Sequence, residues 1–417
     1  MASDPVHPAG PPLHIRVLSS LSEIPAADWD RMASGTVHPV HQADEVPSQR
    51  PDLSINPFVC HAFLSALEQS GSATPRTGWA PQHLLVETAD GQWLGAAPAY
   101  LKSHSRGEYV FDHGWADAYE SAGGSYYPKL QVAVPFTPAT GPRLLVPLSP
   151  QSERIRQTLA AGLVALTQQR QASSAHVTFL PEADWSFLGS KGFLQRTDQQ
   201  FHWHNDGYQS FDDFLAALSS RKRKVIKRER RDAEQSGITI HHLTGSDLTE
   251  AVWDDFFAFY MDTGSRKWGR PYLTRAFYSM IGETMADKIL LVMAKRNGRY
   301  IAGAINFIGA DTLFGRHWGA IEHHPFLHFE VCYYQAIDYA IAHKLKTVEA
   351  GAQGEHKLAR GYVPVTTYSS HYIDDPALRR AIAEYLKRER AYVDAAGREL
   401  ETLTPFRKTD RPEDMEQ

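Results

Sequence analysis

Two stretches of this sequence decide the fold: HLLVETADGQWLGAAPA at His83–Ala99 and ILLVMAKRNGRYIAGAIN at Ile289–Asn306. Each consists of an apolar strand, a polar turn with a glycine, an aromatic–aliphatic pair and a strand of small residues. Apolar runs that flank a short Gly-containing turn are typical of antiparallel hairpins. Because the pattern occurs in both halves of the chain, it predicts one domain that is present twice.

A second pattern follows each hairpin in the chain. A helix and a short strand lead to Gly192-Phe193 in the first copy and to Gly361-Tyr362 in the second. The two patterns are farther apart in the first copy, so we expect an insertion there, near residues 104–145. Each copy then has the composition of an α+β domain, with a mixed, mostly antiparallel sheet flanked by helices. The predicted divisions are a first domain at 13–205, a second domain at 206–403, and disordered tails at 1–12 and 404–417.

Composition limits the possible classes of protein. The 417 residues are 42% hydrophobic and 22% charged, with a net charge of −5 that argues against general nucleic-acid affinity. No apolar run reaches the roughly 20 residues of a membrane span, and the N-terminus lacks the pattern of a secretory signal. Two cysteines, Cys60 and Cys332, cannot form a disulfide framework. We therefore expect a cytoplasmic protein without an integral membrane segment.

One segment departs from this acidic balance. We predict one helix from about Phe211 to Gln235, and within it RKRKVIKRERR at Arg221–Arg231 contains eight basic residues and one acidic residue. A charge run on a helix is usually a solvated face. This density also fits contact with phosphate, with tRNA or with an anionic membrane. The residues predicted to bind the phosphate groups of a donor are Lys222, Lys224, Lys227 and Arg228.

The turn GAQGEHKLARGY at Gly351–Tyr362 carries the strongest chemical signal. Acyl transfer to an amine requires stabilisation of a developing oxyanion and removal of a proton from the amine. Lys357 would supply positive charge, and Glu355, His356 or Glu349 would orient or deprotonate the amine. We expect Lys357 to face an open cleft beside one of these groups. The alternative is a capped loop with a solvated ion pair.

Other segments supply candidate substrate-binding residues. In SRKWGRPY, arginines could bind a carboxylate or phosphate and a tryptophan could stack on a ligand, or the segment is a plain helix connector. In FDHGWADAYE, polar residues could line a cleft, although such groups more often form a satisfied turn. No histidine or cysteine cluster has the spacing of a metal site, so we expect no metal. The candidate substrate-binding residues are Arg266, Trp268, Tyr272, Gln353, Arg360, Asp112, His113 and Trp115.

The order of elements resembles the GNAT acyltransferase domain, and its duplication resembles the FemAB-like relatives of the Fem-type aminoacyltransferases of peptidoglycan cross-bridge synthesis. The residues that carry the resemblance are LFGRHWGAIEHHPFLHFEVCYYQAIDYAI and VEAGAQGEHKLARGY. The resemblance implies two tandem GNAT-like domains, of which the second carries the chemistry and the first shapes the acceptor cleft. The positions that match the family pattern are Gly354, Glu355, Lys357, Gly361 and Tyr362.

The resemblance also implies a function. It is that of an N-acyltransferase or aminoacyltransferase that moves an acyl group from acyl-CoA or aminoacyl-tRNA to an amine, directly and without a permanently bound cofactor. The amine would belong to a small molecule or peptide such as a cell-wall precursor. The stretch EHHPFLHFE at 322–330 lacks the glycines of a diphosphate-binding turn, and Glu330 would repel a phosphate there. The alternative is a non-catalytic protein that binds a cell-wall precursor or another phosphorylated ligand.

Overall fold

The computed structural model describes residues 12–35, 56–234, 237–268, 271–351 and 354–407, without the side chains of 265–268 and Glu355. The chain forms two compact units. The first comprises Met1–Arg196 with Tyr368–Leu386, and the second comprises Thr197–Thr367 with Lys387–Gln417. The predicted boundary between residues 205 and 206 does not include the return of the chain to the first unit. The segment Tyr368–Leu386, late in the chain, belongs to that unit.

Strands and helices are numbered along the chain. The strands are β1 Leu13–Leu18, β2 Trp79–Pro81, β3 His83–Thr88, β4 Trp93–Ala97, β5 Ala99–Lys102, β6 Lys129–Val132, β7 Ser174–Leu180, β8 Leu194–His204, β9 Ile238–Leu243, β10 Ile289–Arg296, β11 Arg299–Ile308, β12 Thr312–Ala320, β13 Thr347–Glu349 and β14 Val363–Ile373. The α-helices are α1 Ala26–Ala33, α2 His61–Gln69, α3 His113–Ser121, α4 Ser152–Gln169, α5 Glu182–Ser190, α6 Phe211–Ala217, α7 Ser220–Glu234, α8 Glu250–Trp268, α9 Arg275–Met285, α10 Leu327–Phe329, α11 Gln335–Ala342 and α12 Pro376–Thr402. A π-helical turn at Glu330–Tyr334 joins α10 to α11.

The two units repeat one order of strands. In the second unit the order is β9-β10-β11-β12-β13-β8, and only the β12–β13 pairing is parallel. In the first unit β1-β3-β4 and β5-β6-β7-β14 follow the same order, with Pro98 dividing the third strand into β4 and β5. Its one parallel pairing, β6 with β7, lies at the same place in the order. The predicted duplication is therefore seen in the strand order of both units.

The repeated glycine–aromatic pairs occupy equivalent positions in the chain. Gly192 and Gly361 both have φ of +88°, a left-handed conformation that favours glycine. Gly192-Phe193 leads directly into β8, and Gly361-Tyr362 leads directly into β14. β8 extends into the second unit, and β14 extends into the first. Gly192-Phe193 therefore precedes the strand that completes the sheet of the second unit, and Gly361-Tyr362 precedes the strand that completes the sheet of the first.

Two sequence predictions for the second unit need correction. The helix predicted from Phe211 to about residue 235 is two helices, because Leu218 is extended and forms a bridge with Phe406. The backbone N–H of Arg407 also donates to the carbonyl of Ala217, at 3.0 Å. The tail predicted to be disordered from residue 404 is therefore paired as far as 407, and residues 408–417 lie outside the described part of the chain.

Apolar faces of strands and helices form the core of each unit. In the first unit, α4 covers the sheets with Ile155, Leu159 and Leu163, which are buried at helical spacing. In the second unit, β10 is buried from Ile289 to Ala294, as expected for a strand covered on both faces. These rigid strands hold the candidate site.

Candidate functional site

The parallel strands β12 and β13 diverge in the second unit. Their pairing runs from Thr312↔Thr347 to Phe314↔Glu349. Beyond it β13 ends, while β12 continues to Ala320. Gly315 is the first residue past the pairing, where an added Cβ would lie 3.2 Å from the carbonyl oxygen of Glu349. The divergence leaves an opening beside an edge of β12 that β13 no longer pairs.

A cavity of about 80 Å³ occupies this opening, and we call it the divergence cavity. An adjacent outer groove of about 730 Å³ is lined by Asp262, Thr263 and the loop 321–329. Trp318 and His328 line both spaces, with their ring centroids 5.2 Å apart. The side chains that give the divergence cavity its chemical character are Arg316, His317, Trp318, His328, Cys332 and Tyr333.

The π-helical turn at Glu330–Tyr334 shapes one wall of the divergence cavity. His328, Cys332 and Tyr333 all line it, at spacings of four and five residues. A regular α-helix would turn one of these side chains away, whereas the wider π-turn keeps all three on one face. Such turns are rare and occur frequently at functional sites.

Lys357 lies on the 3₁₀ turn Glu355–Arg360 and interacts electrostatically with Cys332 and Arg316 of the cavity wall. Its side chain is only 2% exposed, and its Nζ donates to the carbonyl of Gly351 at 2.9 Å. Burial lowers the pKa of Lys357 to about 8, an effect that Cys332 opposes and Arg316 increases. The prediction that Lys357 faces an open cleft is therefore wrong, and the predicted neighbour Glu355 has its side chain outside the described part of the chain. The lysine is enclosed, and its electrostatic neighbours include two residues of the cavity wall.

His356 and Glu349 have different environments. The His356 ring is exposed, and its Nε2 lies 2.9 Å from the hydroxyl of Tyr333 on the cavity wall. Glu349 is buried on β13, where its Oε1 lies 3.9 Å from Nε2 of His202. Burial lowers the pKa of His202 to about 3, with smaller contributions from His204 and Lys357. Of the three predicted proton acceptors, His356 contacts the cavity wall through Tyr333.

Arg360 has a structural contact in place of the predicted role in substrate binding. Its Nη2 donates to both carboxylate oxygens of Glu229, at 3.0 Å each, and its guanidinium stacks 3.4 Å from the ring centroid of Phe329. Glu229 also accepts a short hydrogen bond from the Tyr334 hydroxyl. The lone acidic residue of the basic run is thus buried, and it joins α7 to the turn that carries Lys357.

Glu330 does not act as the predicted repulsive charge. Its carboxylate is fully buried and accepts from Arg230 at 2.9 and 3.2 Å. Gln335 donates to the same carboxylate at 2.7 Å. Burial raises the pKa of Glu330, and Arg230 opposes this shift. Because the Arg230 guanidinium offsets the charge of Glu330, this residue gives no reason to exclude a phosphorylated donor.

The predicted phosphate-binding residues lie on α7. Ile226, Glu229 and Ala233 form the buried face of this helix, at the spacing of an amphipathic helix. Lys227 is exposed and lies 3.1 Å from Asp212, in an ion pair that water largely screens. Of the predicted phosphate-binding residues, Lys222 is half-buried. The exposed ones are Lys224, Lys227 and Arg228.

Of the predicted first-unit residues, Asp112 and Trp115 are buried and His113 is exposed. Asp112 is buried at the start of α3, where it accepts from Lys129 at 2.5 Å and from Tyr126 at 2.7 Å. Burial alone would raise the pKa of Asp112, but the Lys129 ammonium lowers it well below its usual range. Trp115 is buried against His371, at 5.0 Å between ring centroids. His113 is exposed and stacks on Phe111.

The remaining predicted residues have little or no described surroundings. Gln353 lies outside the described residues, and so do the side chains of Arg266, Trp268 and Glu355. Tyr272 is half-buried, and its backbone N–H donates to the Tyr260 hydroxyl at 3.1 Å. Among the residues that the structure describes, no group of His, Cys, Asp and Glu side chains could hold a metal ion.

Sequence reasoning missed the divergence cavity. Arg316 and Trp318 belong to an ordinary strand, and His328 and Cys332 precede what reads as an ordinary helix. The one available signal was the density of histidine and aromatic residues between Arg316 and Tyr333, which exceeds what a strand and helix core require. These side chains form a site only because β12 and β13 diverge and leave a cavity that the side chains line.

Comparisons with solved structures identify similar folds. The C-terminal domain of a putative lysylphosphatidylglycerol synthetase from Agrobacterium fabrum has a TM-score of 0.50 and 9% identity, covering 88% of this chain and 97% of its own. FemX has a TM-score of 0.49 and 12% identity, covering 85% and 98%. A tandem GNAT protein from the clavulanic acid biosynthesis pathway has a TM-score of 0.45 and 14% identity, covering 88% and 99%.

The predicted fold class is confirmed as an α+β arrangement of two tandem GNAT-like units. In the part of the chain that the structure describes, no helix has the length and apolar character needed to cross a bilayer. A search of curated proteins finds no match to this sequence. The FemAB-like family of peptidoglycan biosynthesis/recognition matches residues 20–408, and the chain belongs to this family.

Proposed function

We propose that this protein transfers an acyl or aminoacyl group from an activated donor to an amine of a cell-wall precursor, at the divergence cavity of the second unit. The donor is acyl-CoA or aminoacyl-tRNA, and the reaction takes place in the cytoplasm. Family membership supports a peptidoglycan-related transferase. The single observation that carries the proposed site is the cavity between β12 and β13, whose wall residues Cys332 and Arg316 interact electrostatically with Lys357.

The edge of β12 supports binding of an extended donor arm. Past Phe314 this edge has lost its partner β13 but remains held on its other side by β11, through Asn306↔Gly315 and Ala304↔Trp318. Backbone groups of such an edge can pair with an extended ligand as with an added strand. A donor that lies along this edge places its acyl end in the divergence cavity and its remainder in the outer groove.

Charges near the cavity fit the chemistry of acyl transfer. An oxyanion develops on the acyl carbonyl when the amine attacks, and fixed positive charge in an enclosed site stabilises it strongly. Arg316 lines the cavity, and Lys357 lies within electrostatic reach of Arg316. His356, hydrogen-bonded to Tyr333, is placed to take the proton of the amine.

In the first unit, a buried arginine lies at the end of the corresponding parallel pairing. There the parallel pairing of β6 with β7 ends at Val132↔Val177. The carbonyl of Thr178, the next residue of β7, accepts from Nε of the buried Arg143 at 2.9 Å. The same guanidinium donates to the carbonyls of Ala139 and Gly141. This occupancy supports assigning the transfer to the second unit.

The test is to supply both donor classes. The purified protein is incubated with acetyl-CoA or with tRNA charged with labelled amino acids, together with a peptide that carries a free amine. We expect amide product, detected by mass spectrometry. Tyr333→Phe removes the hydroxyl that positions His356 and should slow the transfer, whereas Tyr372→Phe in the first unit should not. Donor binding without any amide product would identify a non-catalytic binding protein instead.

A further inference from the structure

We propose that Cys332 accepts the acyl group from the donor, so that a thioester forms on the protein before the amine attacks. This inference rests on the proposed acyl transfer and specifies its route. It replaces the direct transfer that the family resemblance implies with a two-step transfer.

The position of Cys332 supports the proposal. Its thiol lies on the π-helical turn and lines the divergence cavity, and the residue is half-buried. A half-buried thiol on a cavity wall is reachable by a small acyl group while most bulk water is excluded. The edge of β12 that would hold the donor, from Gly315 to Trp318, forms another wall of the same cavity.

Two cations near Cys332 would stabilise negative charge that develops on its sulfur during acyl transfer. Arg316 lines the same cavity, and Lys357 interacts electrostatically with both Cys332 and Arg316. Nearby Lys or Arg side chains lower the pKa of a thiol, and the thiolate is the nucleophilic form of cysteine. Burial makes these interactions stronger than they would be in water.

A buried tyrosine packs against the cavity wall, since the ring centroid of Tyr362 lies 5.6 Å from that of Tyr333. Tyr362 is fully buried, and its hydroxyl has no hydrogen-bond partner among the residues that the structure describes. Its electrostatic neighbours include Tyr333 and Cys332, and burial raises its pKa well above the ordinary value, so the phenol keeps its proton. An unpartnered buried hydroxyl is unfavourable. A thiolate or a tetrahedral oxyanion formed at Cys332 would accept this hydrogen bond.

The histidines of the cavity divide into two roles. Burial lowers the pKa of His317 to about 3, so this ring stays neutral at physiological pH and does not hold a proton. His328, on the same wall and in ring contact with Tyr333, is the imidazole assigned to carry the thiol proton.

The reaction balances in two steps. First, the Cys332 thiol gives its proton to His328, and the sulfur attacks the acyl carbonyl carbon. The carbon–sulfur bond forms, the bond from the acyl carbon to the donor oxygen or sulfur breaks, and the leaving group takes the proton from His328. Second, the amine attacks the thioester carbon and gives a proton to His356. The carbon–nitrogen bond forms, the carbon–sulfur bond breaks, and the proton that His356 took from the amine passes to the departing thiolate, which restores the Cys332 thiol.

The second cysteine provides an internal control. Cys60 is 3% exposed in the first unit, and its Sγ donates to the carbonyl of Pro57 at 2.9 Å. A thiol that is buried and hydrogen-bonded in this way is inert by comparison with one on a cavity wall. Cys60→Ser retains a hydroxyl that can make the same hydrogen bond, so this variant is expected to fold and react as wild type.

The experiment uses p-nitrophenyl acetate as the acyl probe. We expect a burst of p-nitrophenolate from the wild type and from Cys60→Ser, with a mass gain of one acetyl group that maps to the Cys332 peptide. Neutral hydroxylamine should remove this group, because it cleaves a thioester and leaves an acetylated lysine amide intact. Cys332→Ser and Cys332→Ala should both lose the burst and the mass gain. Lys357→Met should slow acylation, because it removes a positive charge from the surroundings of the sulfur.

The outcomes separate the two proposals. A burst that persists in folded Cys332→Ala, or an acetyl group that is stable to hydroxylamine and maps to Lys357, overturns the thioester. Amide formation at the wild-type rate in Cys332→Ala overturns the thioester and leaves the proposed transfer intact. Acetylation of Cys332 without amide formation from any donor overturns the proposed transfer and supports the reactive thiol. Far-ultraviolet circular dichroism and thermal unfolding establish that each variant is folded.

Discussion

At the residue scale, Lys357 combines a functional position with an energetic cost. An enclosed ammonium loses hydration, and the one hydrogen bond that the described contacts give it goes to a neutral carbonyl. Burial accordingly lowers its pKa to about 8 from 10.5. A charge held at such a cost is typical of functional sites, although structural ion networks show similar shifts.

This cost predicts a pH-dependent stability. Between pH 8 and pH 10.5 the unfolded chain binds the Lys357 proton and the folded protein does not, so wild-type stability from this group rises with pH. Lys357→Met has no proton to lose. We expect this variant to be more stable than the wild type at pH 7, by up to about 3 kcal/mol. The difference should shrink as the pH approaches 10.5, in urea unfolding of both proteins.

The control for this prediction is an exposed lysine of the same unit. Lys346 is 78% exposed on its side chain and lies 3.5 Å from Asp311. Lys346→Met should differ little from the wild type at each pH, since exposed substitutions usually change stability by about 0.5 kcal/mol or less. A pH-independent stability difference for Lys357→Met would show that burial of its charge has no net cost.

Activity should respond to Lys357 in the opposite direction from stability. Loss of one group that stabilises an oxyanion typically reduces turnover by about 100-fold or more. We therefore expect Lys357→Met to be stable and slow in the amide-forming assay. Lys357→Arg keeps a positive charge but enlarges the buried side chain, so its activity should be intermediate. Wild-type turnover in a folded Lys357→Met would remove this lysine from the mechanism.

At the scale of elements, Glu229 joins the basic helix α7 to the turn of Lys357. Its contacts with Arg360 and Tyr334 are buried, and Arg360 is 6% exposed. Removing one partner of a buried ion pair leaves an uncompensated charge and costs about 3–5 kcal/mol. Glu229→Gln should therefore lower the free energy of unfolding by that amount. Lys227→Gln, on the exposed face of α7, should change it little, and equal losses in both variants would contradict the assigned pair.

The exposed face of α7 carries a separate prediction. Replacing Lys222, Lys224, Lys227 and Arg228 together with Ala should weaken binding of tRNA, measured by fluorescence anisotropy. Because phosphate contacts release counterions, the loss should shrink as salt rises. A matched variant replaces exposed basic residues of the first unit, namely Arg16, Arg76, Arg170 and Lys191. Equal effects of the two variants would show a nonspecific charge effect in place of a binding surface.

The local sequence pattern predicted most of the helices and strands, but few of the elements with which they pair. The hairpins, α4 and β14 follow from apolar periodicity and Gly-containing turns, which are local properties. The break between α6 and α7 was missed because it depends on Phe406, far along the chain. The sequence likewise did not predict which strand lies at the end of each sheet, because β8 and β14 pair with strands that are distant in sequence.

The residues of the candidate site likewise fall into those that the local sequence predicted and those that only the folded structure brings together. The Gly351–Tyr362 turn was found because glycines and charges are clustered in sequence, whereas Cys332 and Arg316 approach Lys357 only in the folded unit. Burial reversed the expected exposure of Lys357, Arg360 and Asp112, because sequence alone favours exposed charges. Buried ion pairs depend on partners that pattern cannot supply.

At the scale of the whole molecule, duplication has produced two units with one strand order and different contents. In the second unit the β12–β13 divergence is open and lined by reactive side chains. In the first unit Arg143, which is 1% exposed, donates hydrogen bonds to backbone carbonyl groups at the corresponding place. An arginine that satisfies several buried carbonyls is costly to remove, so the first unit keeps its fold by filling the opening.

This asymmetry predicts where a donor protects the backbone. On addition of acetyl-CoA or charged tRNA, hydrogen exchange should slow in peptides from Gly315–Ala320 and Leu327–Tyr334, because a bound donor covers the divergence cavity and the unpaired edge of β12. Peptides that cover β6 and β7 should exchange at unchanged rates, since Arg143 already occupies the equivalent site. Protection confined to the first unit would assign donor binding there and overturn the division of roles between the units. Protection of α7 alone, with tRNA, would separate phosphate binding from occupation of the cavity, and would place the acyl group elsewhere.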